Sequence, residues 1–228
     1  NIISNEEIDL KKYMTSIKQN CYRLLRLVNN IIDMNKIDYG YYDIELGNYN
    51  IVSVVEDITM SVLEYIKNKG IELIFDTDTE EEIIACDPDK IERIILNLLS
   101  NAIKYTRPDG KIIVNINSDK ENVYISVKDT GIGMPKQKLN KIFNRYEQID
   151  NKLTKSFNGS GIGLSLVKSL VEMHKGKITV ESKENEGSKF TITLPKKRIN
   201  NEHIKNTNLT KSRVEKCNIE FSDIYELY

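Results

Sequence analysis

The chain has 228 residues, 39% of them hydrophobic, which is enough to bury one good core and a smaller second unit. Its 33 lysines and arginines stand against 34 aspartates and glutamates, so the overall balance points to neither a nucleic-acid partner nor a membrane surface. Three widely spaced cysteines without a CxxC pair, no apolar run near the ~18 residues of a membrane span, and no signal peptide lead us to expect reduced thiols, a cytoplasmic location and no membrane contact.

The first predicted element is a helix. From Leu10 the apolar residues fall at Leu10, Met14, Ile17, Cys21, Leu24, Val28 and Ile31, a 4-3 repeat that forms the seam of a coiled coil or helix bundle, widened by Leu25 and Ile32. Two outcomes are open: pairing with another helix or a second copy, or packing as a core helix on its own domain. Asp38-Tyr39-Gly40 marks its end, and the stretch to Asn48 reads as linker and turn. Residues 1–47, this helix and the linker after it, are expected to form a first unit.

Helical and strand periods then alternate. Asn50 to Lys69, closed by Gly70, reads as a helix. Ile71–Thr77 and Ile83–Cys86 read as strands. Asp87-Pro88 is a strong helix start, since the Asp side chain caps free N–H groups and proline fits the first helical position. That helix runs to about Tyr105. Lys111–Asn117, Val123–Asp129, Lys177–Lys183 and Lys189–Leu194 read as the strands of two hairpins, with a helix from Ser165 to His174. The expected fold class over 48–195 is α+β: a two-layer α/β sandwich whose mixed sheet is covered on one face by about three helices. Residues 196–228 read as a polar tail, which is either a disordered end or, through Ile219, Phe221 and Ile224-Tyr225, a short docked strand.

Three patterns carry chemistry. On the helix after Asp87, Asn97, Asn101 and Lys104 share one face, opposite Ile91, Ile95, Leu98 and Ala102. Two amide oxygens near an ammonium suit a hydrated Mg²⁺ and the phosphates it bridges, and the bland alternative is a solvated helix face. Asp129-Thr-Gly131-Ile-Gly133 follows a strand. A carboxylate there, beside glycines that let backbone approach a ligand, can accept a hydrogen bond from an adenine amine, unless the segment is a plain turn. Gly159-Ser160-Gly161-Ile162-Gly163-Leu164 precedes a helix and exposes N–H groups to phosphate oxygens. It lacks both the strand-first context of a dinucleotide turn and the Gly-Lys-Ser/Thr of a P-loop. Between these last two patterns, Lys136 to Asn158 carries Lys136, Lys138, Lys141, Arg145, Lys152 and Lys155, the basic excursion expected of a lid. Arg145, beside Phe143 and Tyr146, is its candidate for a phosphate contact.

In this order the patterns resemble the N box (Asn97 to Thr106), first glycine box (Asp129 to Gly133), F box (Lys141 to Tyr146) and second glycine box (Gly159 to Leu164) of the histidine-kinase catalytic domain. That domain belongs to the ATPase family shared with gyrase, MutL-type repair proteins and a heat-shock chaperone. The resemblance covers about residues 50 to 195 and implies the Bergerat-type ATP-binding fold. It further implies ATP and Mg²⁺ as cofactors, with Asn101 on the metal and Asn97 assisting through water. Lys104 and Arg145 would meet the phosphates, Asp129 the adenine, and Tyr105 and Ile132 would flank the ring. Lys141 and the residues of both glycine boxes would complete the nucleotide pocket. The long first helix resembles the second helix of the family's dimerisation and phosphoacceptor hairpin, which implies a homodimer and a response regulator receiver domain as partner.

The chain departs from the family at the acceptor. The family's phosphorylated histidine lies in a His-Glu or His-Asp pair on the first hairpin helix, and neither His174 nor His203 fits. The acceptor is expected upstream of Asn1, and so is any sensor or membrane anchor. Smaller departures are Asn144, where an acidic residue is common, and Lys175, where glycine is. The rival ATP-hydrolysing clamps place a water-activating glutamate where this chain has Asn97, and an amide cannot take the proton. A non-catalytic ATP-binding module is the other rival.

Overall fold

The computed structural model describes residues 2–67, 69–147, 160–200, 203–205 and 213–222. Helix α1 (Ile2–Asp38) leads. It stops where Gly40 turns left-handed at φ 71°, letting the Tyr41 N–H return to the Lys36 carbonyl at 2.8 Å and the Gly40 N–H to that of Ile37 at 3.1 Å. Its two faces have different fates. Asn30 and Met34 are buried and Leu27 and Ile37 pack on the core, whereas the 4-3 seam stands open, with Leu10, Met14 and Leu24 each more than 60% exposed. The seam is thus not the surface by which α1 rests on its own domain.

Next come β1 (Gly47–Asn50), α2 (Ile51–Ser61), α3 (Leu63–Lys67), β2 (Glu72–Thr77) and β3 (Ile83–Cys86). The Asn50 side chain caps α2 by accepting the Val52 N–H. Helix α4 (Pro88–Tyr105) starts as its sequence dictates, with Asp87 accepting the N–H groups of Asp89 and Lys90 and proline in the first turn. Strands β4 (Lys111–Ser118) and β5 (Asn122–Asp129) form one hairpin. Helix α5 (Gly163–Met173) follows, and β6 (Lys177–Lys183) and β7 (Gly187–Pro195) form the second hairpin.

The main sheet has the order β2-β4-β5-β7-β6. Strand β2 runs parallel to β4 and every other pair is antiparallel, while β1 and β3 make a separate two-stranded ladder. Period-two alternation puts Ile112, Val114 and Ile116 of β4, Val123, Ile125 and Val127 of β5, and Ile192 and Leu194 of β7 on one face. There they meet the buried stripes of α2 (Val54, Val55, Ile58), α4 (Ile91, Ile95, Leu98) and α5 (Leu166, Leu170). The two-layer arrangement leaves the C-terminal ends of α4 and β5 and the N-terminal end of α5 to build one site.

Three expectations need correction. The segment before Asn50 ends as strand β1, whose Gly-Asn-Tyr-Asn sequence has no alternation and owes its form to pairing with β3. The helix expected over 50–69 is two helices. Val62, fully buried at φ −98° and ψ 1°, ends the first, and the hydroxyls of Thr59 and Ser61 bond back to the carbonyls of Val55 and Ile58. The tail is neither strand nor loose end at 213–220, where it forms helix α6 (Arg213–Glu220). Cys217, Glu220 and Phe221 lie three and four residues apart and are all buried, a helical spacing that a strand could not use. Ile224 and Tyr225 lie outside the described residues.

Candidate functional site

Asp129 closes β5 and is only 5% exposed. Its Oδ1 accepts the Gly131 N–H at 2.8 Å, and the Ser188 N–H also bonds to it. Burial pushes its carboxyl up to about 6, with these two amides pulling the other way. Gly131 is required here by contact. A Cβ would stand 2.3 Å from the Tyr105 carbonyl oxygen, and that same carbonyl accepts the Ile132 N–H at 3.2 Å, stitching the first glycine box to the end of α4. Ile132 and Tyr105 are half-buried on that seam. Gly133 holds φ 62° beside the Lys183 carbonyl.

On α4, Asn97 is 1% exposed and Lys104 7%, whereas Asn101 is half-buried. The Lys104 Nζ lies 5.3 Å from the Tyr105 ring centroid. Asn97 Oδ1 has no hydrogen-bond partner among the described residues, although it is buried. It faces the start of α5, where a Cβ on Gly163 would come within 2.4 Å of it. An orphaned amide oxygen beside a glycine cradle fits an oxygen-coordinated cation and its water.

The second glycine box is only partly described, since Gly159 lies outside the described residues together with Asp150, Lys152 and Lys155 of the expected lid. Ser160 Oγ accepts the Ile162 N–H at 3.4 Å. Gly161, at φ 69°, accepts the Tyr146 N–H at 3.0 Å and so ties the F box to the second glycine box. Ile162 is a core residue at 2% exposure, and Leu164 packs against the core beside it. Phe143 meets Phe190 edge-on, with centroids 6.4 Å apart, while Lys141 is exposed.

Arg145 is not free for phosphate in this structure. Its Nη1 donates to Asp38 Oδ2 at 2.6 Å and its Nη2 to Asp38 Oδ1, a fork that holds the Asp38 carboxyl below the usual carboxylate range. The sequence reading also missed Glu220, Arg26 and Ser100. Glu220 Oε2 accepts Asn97 Nδ2 at 3.3 Å and pairs with Arg26 Nε at 2.9 Å, and its carbonyl accepts Ser100 Oγ at 2.9 Å. The helical spacing of Cys217, Glu220 and Phe221 was the one available signal.

His174 is structural. Its Nε2 accepts the Asp87 N–H at 3.1 Å and its Nδ1 donates to the Leu170 carbonyl at 2.8 Å, which tethers the end of α5 to the start of α4, while burial holds the imidazole below its usual range against the pull of the Leu170 carbonyl. The following Lys175 holds φ 60°, the left-handed conformation that suits the glycine more common there.

Residues 86–198 match the model of the histidine kinase-, DNA gyrase B- and HSP90-like ATPase family. The chain carries a catalytic ATP-binding domain of that family. Histidine kinase P4 of Formosa agariphila is 35% identical over 187 residues, which is 81% of this chain but 14% of that relative. The chain therefore spans a small part of that curated relative. The solved catalytic domain of histidine kinase ThkA matches with a TM-score of 0.60 at 28% identity, covering 67% of this chain and 99% of that one. A longer ThkA structure, solved in complex with the response regulator protein TrrA, matches at a TM-score of 0.65 and 27% identity over 82% of this chain and 51% of that one. The family match takes in Asn97, Asn101, Lys104, Asp129 and both glycine boxes, but not α1 or α6. Among the described residues no helix is long and apolar enough to cross a membrane.

Proposed function

We propose that this chain is the ATP-binding catalytic part of a two-component sensor histidine kinase. It would pass the γ-phosphoryl group of ATP to a histidine on a separate acceptor helix, and from there to an aspartate of a response regulator. The observation that carries this reading is the pairing, at one end of the sandwich, of a buried carboxylate with an orphaned amide oxygen, each set against a glycine whose Cβ would crowd it.

Asp129 accepts the adenine amine, and Tyr105 and Ile132 border the ring. Asn101 would hold Mg²⁺, and the Asn97 amide oxygen would be available to one of its waters. When bound, the cation neutralises charge on the β- and γ-phosphates. Lys104 and Arg145 supply the remaining positive charge. Arg145 must first leave Asp38, so filling the site breaks a tie between the F box and α1. The Asn97 amide cannot deprotonate water, which favours transfer to a positioned nucleophile over hydrolysis. The open seam of α1 supports pairing with the acceptor helix and with a second copy. The response regulator as partner draws its support from the ThkA complex.

Asp129→Asn tests the site. The variant loses a charged acceptor and can turn an amide donor toward the adenine amine, so Mg·ATP affinity measured by calorimetry should fall roughly tenfold to a hundredfold. Equal affinity for the two proteins would remove Asp129 from the nucleotide site.

A further inference from the structure

The ATPase match ends at residue 198, yet α6 is built into the core beyond it. Phe221 is fully buried and stacked on Tyr65 with centroids 4.9 Å apart, and the Tyr65 hydroxyl donates to Asn218 Oδ1 at 3.0 Å. Lys216 pairs with Asp89 at 2.9 Å and with Glu92, both on α4. These contacts deliver Glu220, 7% exposed, to a point where α1 and α4 meet. Its carboxylate spans Arg26 of α1 and Asn97 of α4.

A second carboxylate behaves alike. Asp38 of α1 holds Arg145 of the F box. Arg145, assigned above to the phosphates, and the amide nitrogen of Asn97, whose oxygen stays unpartnered, are therefore engaged by carboxylates, the side chains that most resemble phosphate oxygens in charge and acceptor geometry. The same contacts fasten α1 to the catalytic unit, reinforced by Arg93, which pairs with Asp33 at 2.7 Å and donates to Asn30 at 2.9 Å. A bundle helix held this way cannot swing to bring an acceptor to the γ-phosphate.

We propose that α6 is an autoinhibitory latch: Glu220 sets a negative charge on the amide nitrogen of Asn97, beside the oxygen assigned to the metal's water, and pins α1 through Arg26, so the phosphates of Mg·ATP must displace it. This rests on the nucleotide reading of Asn97 and Arg145. Because coupling between sites is reciprocal, whatever frees α1 should also tighten nucleotide binding, and nucleotide should loosen α6.

The three native cysteines make the test direct. Cys21 is exposed, Cys217 sits in the latch at 2% exposure, and Cys86 is fully buried in the core with its thiol pushed up to about 12. The full chain is treated with a thiol reagent and each site is followed by mass spectrometry, with and without Mg²⁺ and a non-hydrolysable ATP analogue. Calorimetry of the analogue runs in parallel. In native protein Cys86 should stay protected with and without ligand, which certifies folding. Cys217 should label severalfold faster once the analogue is bound. Glu220→Ala should label fast at Cys217 without ligand and bind the analogue roughly fivefold tighter or more. Glu220→Gln, which keeps the shape but drops the charge, should fall between.

Equal Cys217 labelling in native and Glu220→Ala protein would overturn the latch even where nucleotide binds. So would slower labelling with bound analogue, or weaker binding by Glu220→Ala, which would make Glu220 a ligand-side group instead. Absence of analogue binding to both proteins would sink the nucleotide reading, and the displacement with it.

Discussion

Asp129 shows what the site demands of a single residue. A carboxyl raised to about 6 from 3.8 holds its proton in the fold after the unfolded chain has released it, so stability falls as pH rises from about 3.8 to 6 and the full cost remains above that. Two units correspond to at most about 3 kcal/mol. Asp129→Asn should remove this slope, and unfolding curves across that window check it. Nucleotide binding runs the opposite way, because the adenine amine selects the ionised form. The ratio of native to Asp129→Asn affinity should therefore collapse toward one as pH falls through about 6, and a ratio that stays flat from pH 5 to 7.5 would contradict the role given to this carboxylate. His174 is the reverse case, a base whose buried, desolvated ring is held below its usual value; it favours the fold above about 6.5 and penalises it as pH falls below that.

At the scale of elements, legibility followed locality. The start of α4 was readable because Asp87 and Pro88 act within one turn, and β4 and β6 because alternation is itself the packing instruction. The glycine boxes were readable because a Cβ would collide with the Tyr105 backbone at Gly131 and with the Asn97 amide at Gly163. Strand β1 and the break at Val62 were not, since both depend on partners far along the chain. Helix α6 was misread because Ile219 and Phe221 alternate like a strand, whereas Tyr65, Asn97 and Arg26 decide its form from a distance. Its docking has a measurable weight. Phe221→Ala should cost about 3–5 kcal/mol, and for a chain of this size each kcal/mol lowers Tm by roughly 2–4 °C. An unchanged Tm would mean that α6 is not seated as described.

For the whole molecule the decisive feature is an incomplete one. The domain holds the groups expected to bind Mg·ATP, but its buried histidine has both ring nitrogens engaged and its other histidine, His203, is exposed outside the family match. The apolar seam of α1 faces outward for want of a partner among the described residues. Phosphoryl transfer requires a nucleophile in line with the γ-phosphate at near contact distance, and in the proposed reaction that nucleophile arrives on another helix. The most direct measurement mixes the chain with a separate hairpin bearing a His-Glu acceptor helix and γ-labelled ATP with Mg²⁺. Acid-labile phosphate should appear on the added hairpin, with none on the chain alone. Stoichiometric phosphate on His174 or His203 of the chain by itself, or an unlabelled hairpin despite bound nucleotide, would contradict the account.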